Sequence, residues 1–385
     1  MSSQAAVCSA QDAKSSDQIH FDQARSLNQQ INQLEKTNNN AVLNSRPLKL
    51  GFDISNVCNA NCIFCLAEGS RRQKKDINAF RPPSWLDNFE PLLPFIELGI
   101  FSSFEAMLNP DFDQFVMKMR KFYTPFQIFT NGKALTPEMS EFILRNGLHS
   151  IHCSFHSPDP GTYESIMRGL SFDENLGNLM RLKMLARKYN PDFNLVMVFC
   201  AMRRNITQLL DYVELAHRVG ARRIQVNYLM VTDPKHKLEK ECMYFNQDEY
   251  DSYVSTAKVK AAKLGINLTH QPIFQTFKMN TDELPPCYRP WEHLNVSQEG
   301  DATICCGGSG ALGNIFKEDF FKVWNSKQFT AFRKTVNSPN PPAACKVCTR
   351  GREDPTAITS HITYLSGMPK EKREQRIKEL CEAYG

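Results

Sequence analysis

From Leu48 onward the apolar positions fall into two alternating textures. Short runs rich in Leu, Ile, Val and Phe, at 48–54, 100–105, 126–130, 150–155, 194–199 and 223–228, read as strands. Between them, at 85–98, 112–122, 137–146, 175–188 and 206–219, apolar residues recur at helical spacing. Gly147 and Gly220 end two of these helices, where a left-handed residue closes the last turn. Six strand–helix units in succession predict a parallel sheet, because each strand must return through a crossover. Six units are too few to close an eight-stranded barrel, so the expected fold is α/β, a partial (β/α)6 TIM-like barrel.

The flanks differ in texture. Residues 1–46 are rich in Gln, Asn and Ser and read as a polar N-terminal extension with one short helix at 22–36. The core barrel is expected over 47–235, followed by a connecting segment at 236–285 with a helix near 248–264. A Cys- and Gly-dense unit at 286–350 reads as a small α+β domain, and 351–385 as a helical tail charged over 370–383. Composition adds little: 42% hydrophobic and 23% charged residues, with a net charge of +5, carry no strong message about nucleic acid or membrane. The basic runs at 71–75 and 370–378 read as solvated faces. There is no secretory signal and no apolar run long enough to span a bilayer. The 13 cysteines are therefore expected in a reducing, cytoplasmic compartment, where clustered thiols bind metal more often than they pair.

Cys58, Cys62 and Cys65 follow directly on the first strand. Three thiolates at this spacing can wrap one iron–sulfur cubane and leave its fourth iron open to a small chelator. Zinc is the alternative, although structural zinc prefers four ligands in two separated pairs. The C-x3-C-x2-C pattern, with Phe64 before its last cysteine, resembles the signature of the radical S-adenosylmethionine (SAM) superfamily. That resemblance implies a [4Fe–4S] cluster whose open iron is chelated by the amino and carboxylate groups of SAM. An electron from the cluster then cleaves SAM to methionine and a 5′-deoxyadenosyl radical, which removes a hydrogen atom from the substrate.

The resemblance extends over about 190 residues. Ser103-Phe104-Glu105-Ala106 falls where the family has Gly-Gly-Glu-Pro; only Glu105 is kept, and the resemblance makes it an acceptor for the SAM amino group. Leu108-Asn109-Pro110 and Thr130-Asn131-Gly132 continue the family pattern, with Asn131 among the SAM-binding positions. Ser154 ends the fourth strand, where similar enzymes contact SAM, and Arg168 resembles the arginine that pairs with the SAM carboxylate. Each residue also has an ordinary reading, as a loop acid or a turn; their order along successive strand ends is what unites them.

A second set comprises Cys287, Cys305, Cys345 and Cys348. By spacing alone, four thiolates from two distant pairs suit structural zinc or a fully ligated cluster. Pro290-Trp291, the Gly300-Asp301 turn, Leu312-Gly313-Asn314-Ile315 and Val323-Trp324-Asn325-Ser326 resemble the SPASM/twitch extension of radical SAM enzymes. This implies a second, auxiliary [4Fe–4S] cluster over 286–350. Cys306 is spare by this count, and Cys153 and Cys200 read first as buried cysteines. Cys200 and Cys306 are also candidate catalytic hydrogen-atom donors, as in radical epimerases. His152 and His156 flank Ser154 with the same strand parity, so either can line the site.

The expected function is a radical SAM oxidoreductase acting on a small molecule such as an amino sugar, by dehydrogenation or epimerisation. The alternative is a peptide-modifying maturase; the 47 residues before Leu48 lack the pattern of a leader-binding domain, which weighs mildly against it. A non-enzymatic iron–sulfur carrier or zinc scaffold would have no use for Glu105 and Arg168. The resemblance also implies a flavodoxin- or ferredoxin-type electron donor.

Overall fold

The computed structural model describes residues 15–65, 76, 79–102, 104–275, 286–305, 310–342, 345, 348, 354 and 356–385. Ser103, Cys306 and the basic run at 71–75 lie outside them. The strands are β1 (Lys49–Phe52), β2 (Asn61–Cys62), β3 (Leu98–Phe101), β4 (Phe126–Thr130), β5 (Leu148–Ser154), β6 (Met167–Arg168), β7 (Asn194–Ala201), β8 (Arg223–Tyr228), β9 (Asn267–His270), β10 (His293–Val296) and β11 (Ala302–Thr303). Nine of them form one open sheet in the order β11-β10-β1-β3-β4-β5-β7-β8-β9, parallel throughout except for the β10–β11 hairpin. The six expected strands are its centre. The sheet exceeds six because β9, reached through the helix Gln247–Lys263, pairs with β8, and β10 pairs with β1.

Helices cover one face. Phe199 meets Tyr212 of the helix Leu209–Arg218, Phe101 meets Phe112 of the helix Phe112–Lys121, and Tyr228 meets Tyr250 of the helix Gln247–Lys263. Alternation along each strand turns the intervening side chains to the concave side. There the registers align Gln127 with Ser150, Phe129 with His152, His152 with Val196, and Val196 with Arg223. One step further, Ser154 aligns with Val198 and Val198 with Gln225. The concave face is thus rich in polar groups, backed by the apolar core.

One expected helix is different. Over 85–98 the chain forms only a 3-10 turn, Pro83–Phe89, and then turns to β3. Pro91 and Pro94 remove two backbone donors there, which stops an α-helix despite the apolar spacing. The polar extension carries the helix expected at 22–36, but longer and packed against the body of the protein. Ser16–Thr37 is a 22-residue helix that buries Arg25, Asn28, Asn32 and Glu35. Asn32 Nδ2 donates to the Trp291 carbonyl (2.7 Å), and Glu35 accepts from the Ser45 hydroxyl (2.6 Å). Arg333, 2% exposed, lies over Trp324 and donates to the carbonyls of Pro290, Ala41 and Trp324. Polar side chains, donating mainly to backbone carbonyls, join the N-terminal segment to the Cys287–Val336 region. No helix among the described residues is long and apolar enough to cross a membrane.

Gly300 turns the chain between β10 and β11 at φ +88°. A Cβ there would stand 2.5 Å from the Phe316 ring and 2.9 Å from Asn314 Oδ1. Phe316 cannot retreat, because it packs edge-on against Trp85 and Phe89. Gly300→Ala is expected to destabilise the protein by about 2–3 kcal/mol from strain and overpacking. Thermal unfolding of wild type and variant checks this; an unchanged midpoint would show that the turn has slack.

Candidate active site

The loop carrying Cys58, Cys62 and Cys65 leaves the carboxyl end of β1, the end of a parallel sheet where ligands gather. It is fixed by a ladder: β2 pairs with β6, setting Asn61 opposite Arg168 and Cys62 opposite Met167, and the Ile63 amide donates to the Ile166 carbonyl. Arg168 therefore lies exposed directly across from the cysteine loop. All three cysteines are partly buried.

Glu105 is fully buried. Thr130 Oγ1 donates to its two oxygens (2.9 and 3.0 Å), and the Asn131 amide donates to Oε2 (3.0 Å). Burial raises its carboxyl to about 7, against the opposing pull of these hydrogen bonds. No cation is ion-paired with it among the described residues. Asn131 is the link outward: its Nδ2 donates to Asn59 Oδ1 (2.7 Å) and reaches Cys58 Sγ (3.7 Å). Its carbonyl accepts from Asn175 Nδ2, which also contacts the Tyr163 hydroxyl. One residue thus couples the buried carboxylate, through its backbone amide, to the first cysteine, through its side chain.

Phe104 carries information that residue type concealed. It occupies φ +53°, the left-handed region that favours glycine, at a position where the family pattern has Gly. The loss of that glycine did not abolish the backbone turn; the strain is tolerated instead.

Phe64 meets His156 edge to face at 5.1 Å. His156 is buried, and burial lowers it to about 4. Its Nδ1 accepts from the Cys200 amide (3.2 Å), so it is a neutral spacer between Phe64 and β7. Burial, with a contribution from nearby Cys62, raises Cys200 to about 12, so it keeps its S–H proton. Ser154 ends β5, two residues beyond His152 on the concave side. In the second set, the Cys287 amide donates to Asn337 Oδ1 (2.8 Å), Cys305 follows β11, and Cys345 and Cys348 are partly buried. Cys306 lies outside the described residues.

Among the described residues no three His, Cys, Asp or Glu side chains converge as a mononuclear metal site requires. Thiolates around a cubane each hold a different iron and need not meet at one point. The fit of the site to a cluster with SAM rests on its donors: three thiols in one anchored loop, a buried carboxylate offering an acceptor, and a guanidinium across the ladder.

Two family models match the chain, the radical SAM superfamily over residues 52–198 and the SPASM iron–sulfur cluster-binding domain over residues 287–349. The mycofactocin maturase MftC of Mycobacterium tuberculosis is 24% identical over 177 residues, 46% of this chain and 43% of the maturase, so the match spans less than half of that relative. The AdoMet-dependent heme synthase of Methanosarcina barkeri is 21% identical over 336 residues, 80% of this chain and 90% of the relative. Among solved structures, Streptococcus suis SuiB bound to S-adenosylmethionine superposes with TM-score 0.61 at 16% identity, covering 83% of this chain and 75% of that one. Native anSMEcpe with bound AdoMet superposes with TM-score 0.58 at 16% identity, covering 88% and 99%. These likenesses concern the fold. The two domains bring with them a [4Fe–4S] cluster, S-adenosylmethionine and auxiliary iron–sulfur as cofactors. The chain thus carries a radical SAM superfamily domain followed by a C-terminal SPASM iron–sulfur cluster-binding domain.

Proposed function

We propose that the protein modifies a peptide substrate by hydrogen-atom abstraction at the concave face. The observation that carries the radical SAM part is the continuous contact from Glu105 through Asn131 to Cys58. The peptide part draws on the relatives: MftC is a maturase, SuiB has been solved with its precursor peptide SuiA, and anSMEcpe with a peptide named Cp18Cys. A second reading, oxidation of a non-peptide small molecule, is favoured by the heme synthase, whose match spans most of both chains.

When bound, the cluster and SAM supply a low-potential electron and a carbon radical able to take a hydrogen atom. The chain's own residues prepare for this. Cys58, Cys62 and Cys65 hold the cluster, and Glu105 accepts a hydrogen bond from the SAM amino group. Asn131 keeps Glu105 in register with the cysteine loop, while Arg168 takes the SAM carboxylate with its planar fork. Phe64 and Ser154 line the rest of the pocket. Cys200, protonated beside Cys62, is in the state a hydrogen-atom donor needs. Cys287, Cys305, Cys345 and Cys348 hold the auxiliary cluster.

The test uses reconstituted, reduced protein with SAM, and measures 5′-deoxyadenosine released with and without fractions of the source cell extract. Stimulation by a fraction that loses its effect after protease treatment supports the peptide reading. Stimulation that survives protease selects the non-peptide reading.

A further inference from the structure

Three buried polar atoms without partners lie together on the concave face: His152 Nδ1, Asn194 Oδ1 and Arg223 Nε. Their strands place them in neighbouring rows. His152 and Arg223 share one row across Val196, and Asn194 aligns with Ser150 one step below His152. Arg223 Nη2 approaches His152 Nε2 at 3.4 Å. A guanidinium can only donate, so Nε2 must accept and the ring proton resides on Nδ1. His152 is 7% exposed, and burial together with Arg223 and His149 lowers it to about 4, which keeps it neutral.

Two hydrogen-bond donors, His152 Nδ1–H and Arg223 Nε–H, are therefore buried with nothing to accept them, next to a cation. No carboxylate is ion-paired with Arg223 among the described residues. A buried donor left unmet is costly, and an arrangement that leaves two at a guanidinium suits an acceptor carrying negative charge. Asn194 Oδ1, an acceptor, calls for a donor next to it, such as an amide N–H or a hydroxyl.

The rows give the depth. Ser154, among the residues read as contacting SAM, is two residues beyond His152 along β5, or about 6–7 Å at strand spacing. A group held by Arg223 and His152 would thus lie on the concave face one layer beneath the SAM row, with the reacting part of its molecule directed upward.

We propose that Arg223, His152 and Asn194 form a subsite that holds an oxyanion of the substrate, a carboxylate or phosphate with an adjacent hydrogen-bond donor. This rests on the reading of the concave face as the substrate site of a radical SAM enzyme, and it adds the charge of the substrate to that reading.

The test is calorimetric titration of the reconstituted, SAM-loaded holoenzyme with three probes: N-acetyl-glutamate amide, its neutral twin N-acetyl-glutamine amide, and glycerol 3-phosphate. The acidic probe, the phosphate, or both should bind at least tenfold more tightly than the neutral twin. Arg223→Gln should remove that preference. His152→Leu should weaken it, and His152→Asn, which restores a donor near Nδ1, should recover part of it. The visible absorption of the clusters and the unfolding midpoint identify any variant that has not folded, and Arg223→Lys, which keeps the charge but loses the Nε donor, then replaces Arg223→Gln and should give an intermediate preference. Which anion wins distinguishes a carboxylate from a phosphate ester. Equal binding of charged and neutral probes, no binding of either anion, or a preference untouched by both Arg223 variants would overturn the subsite. Reductive SAM cleavage by the same wild-type preparation tests the underlying radical SAM reading separately.

Discussion

Replacing Cys58, Cys62 and Cys65 together with alanine is expected to lower iron from about eight to about four per chain after anaerobic reconstitution, and to abolish SAM cleavage. The figure follows from two sets of ligands, three thiols at the barrel mouth and four in the Cys287–Cys348 region. The loop should stay in place in the variant, because what anchors it is backbone: the β2–β6 ladder and the bond from the Ile63 amide to the Ile166 carbonyl. The three cysteines are partly buried at the rim, so their loss opens no cavity in the deep core. A fall from about four to none would instead leave the distal four cysteines to zinc or to no metal. Iron unchanged by the triple substitution would remove the central assignment altogether.

What the sequence made legible follows from how local the signals are. The six central strands are runs of β-branched and aromatic residues backed by helices, and such runs announce themselves. Strands β9 and β10 do not: Asn-Leu-Thr-His and His-Leu-Asn-Val are short and half polar, and only pairing with β8 and β1 makes them strands. The docking of the helix Ser16–Thr37, foreseen only as a short helix at 22–36, escaped for the opposite reason, since its inward face is Arg25, Asn28, Asn32 and Glu35, which hydropathy assigns to solvent. In the site, the cysteine spacing and Glu105 could be read directly. The backbone of Phe104 could not, because an aromatic residue argues against the left-handed conformation it adopts. Nor could the pairing of His152 with Arg223, 71 residues apart, which exists only once β5, β7 and β8 are laid side by side.

Glu105→Gln should separate binding from stability. In the wild-type protein without SAM, the carboxyl is raised from 4.5 to about 7 by burial. The ionised form is therefore the costly one in the folded state. Below about pH 4.5 both folded and unfolded chains carry the proton and the cost is absent; it grows as pH rises and is complete above about 7. A shift of this size amounts to about 3 kcal/mol at most. The glutamine side chain has the same shape and can still accept from the Asn131 amide, but it does not titrate. The SAM-free variant should thus gain stability relative to wild type as pH is raised from 5 to 8, read as diverging unfolding midpoints. SAM affinity should move the other way, falling at least tenfold at pH 8, where a charged acceptor for the SAM amino group has been lost. If the midpoints stay parallel across the pH range, Glu105 is not the buried titrating group. If stability diverges as expected but SAM binds equally well, the carboxylate supports the Thr130–Asn131 turn without receiving SAM.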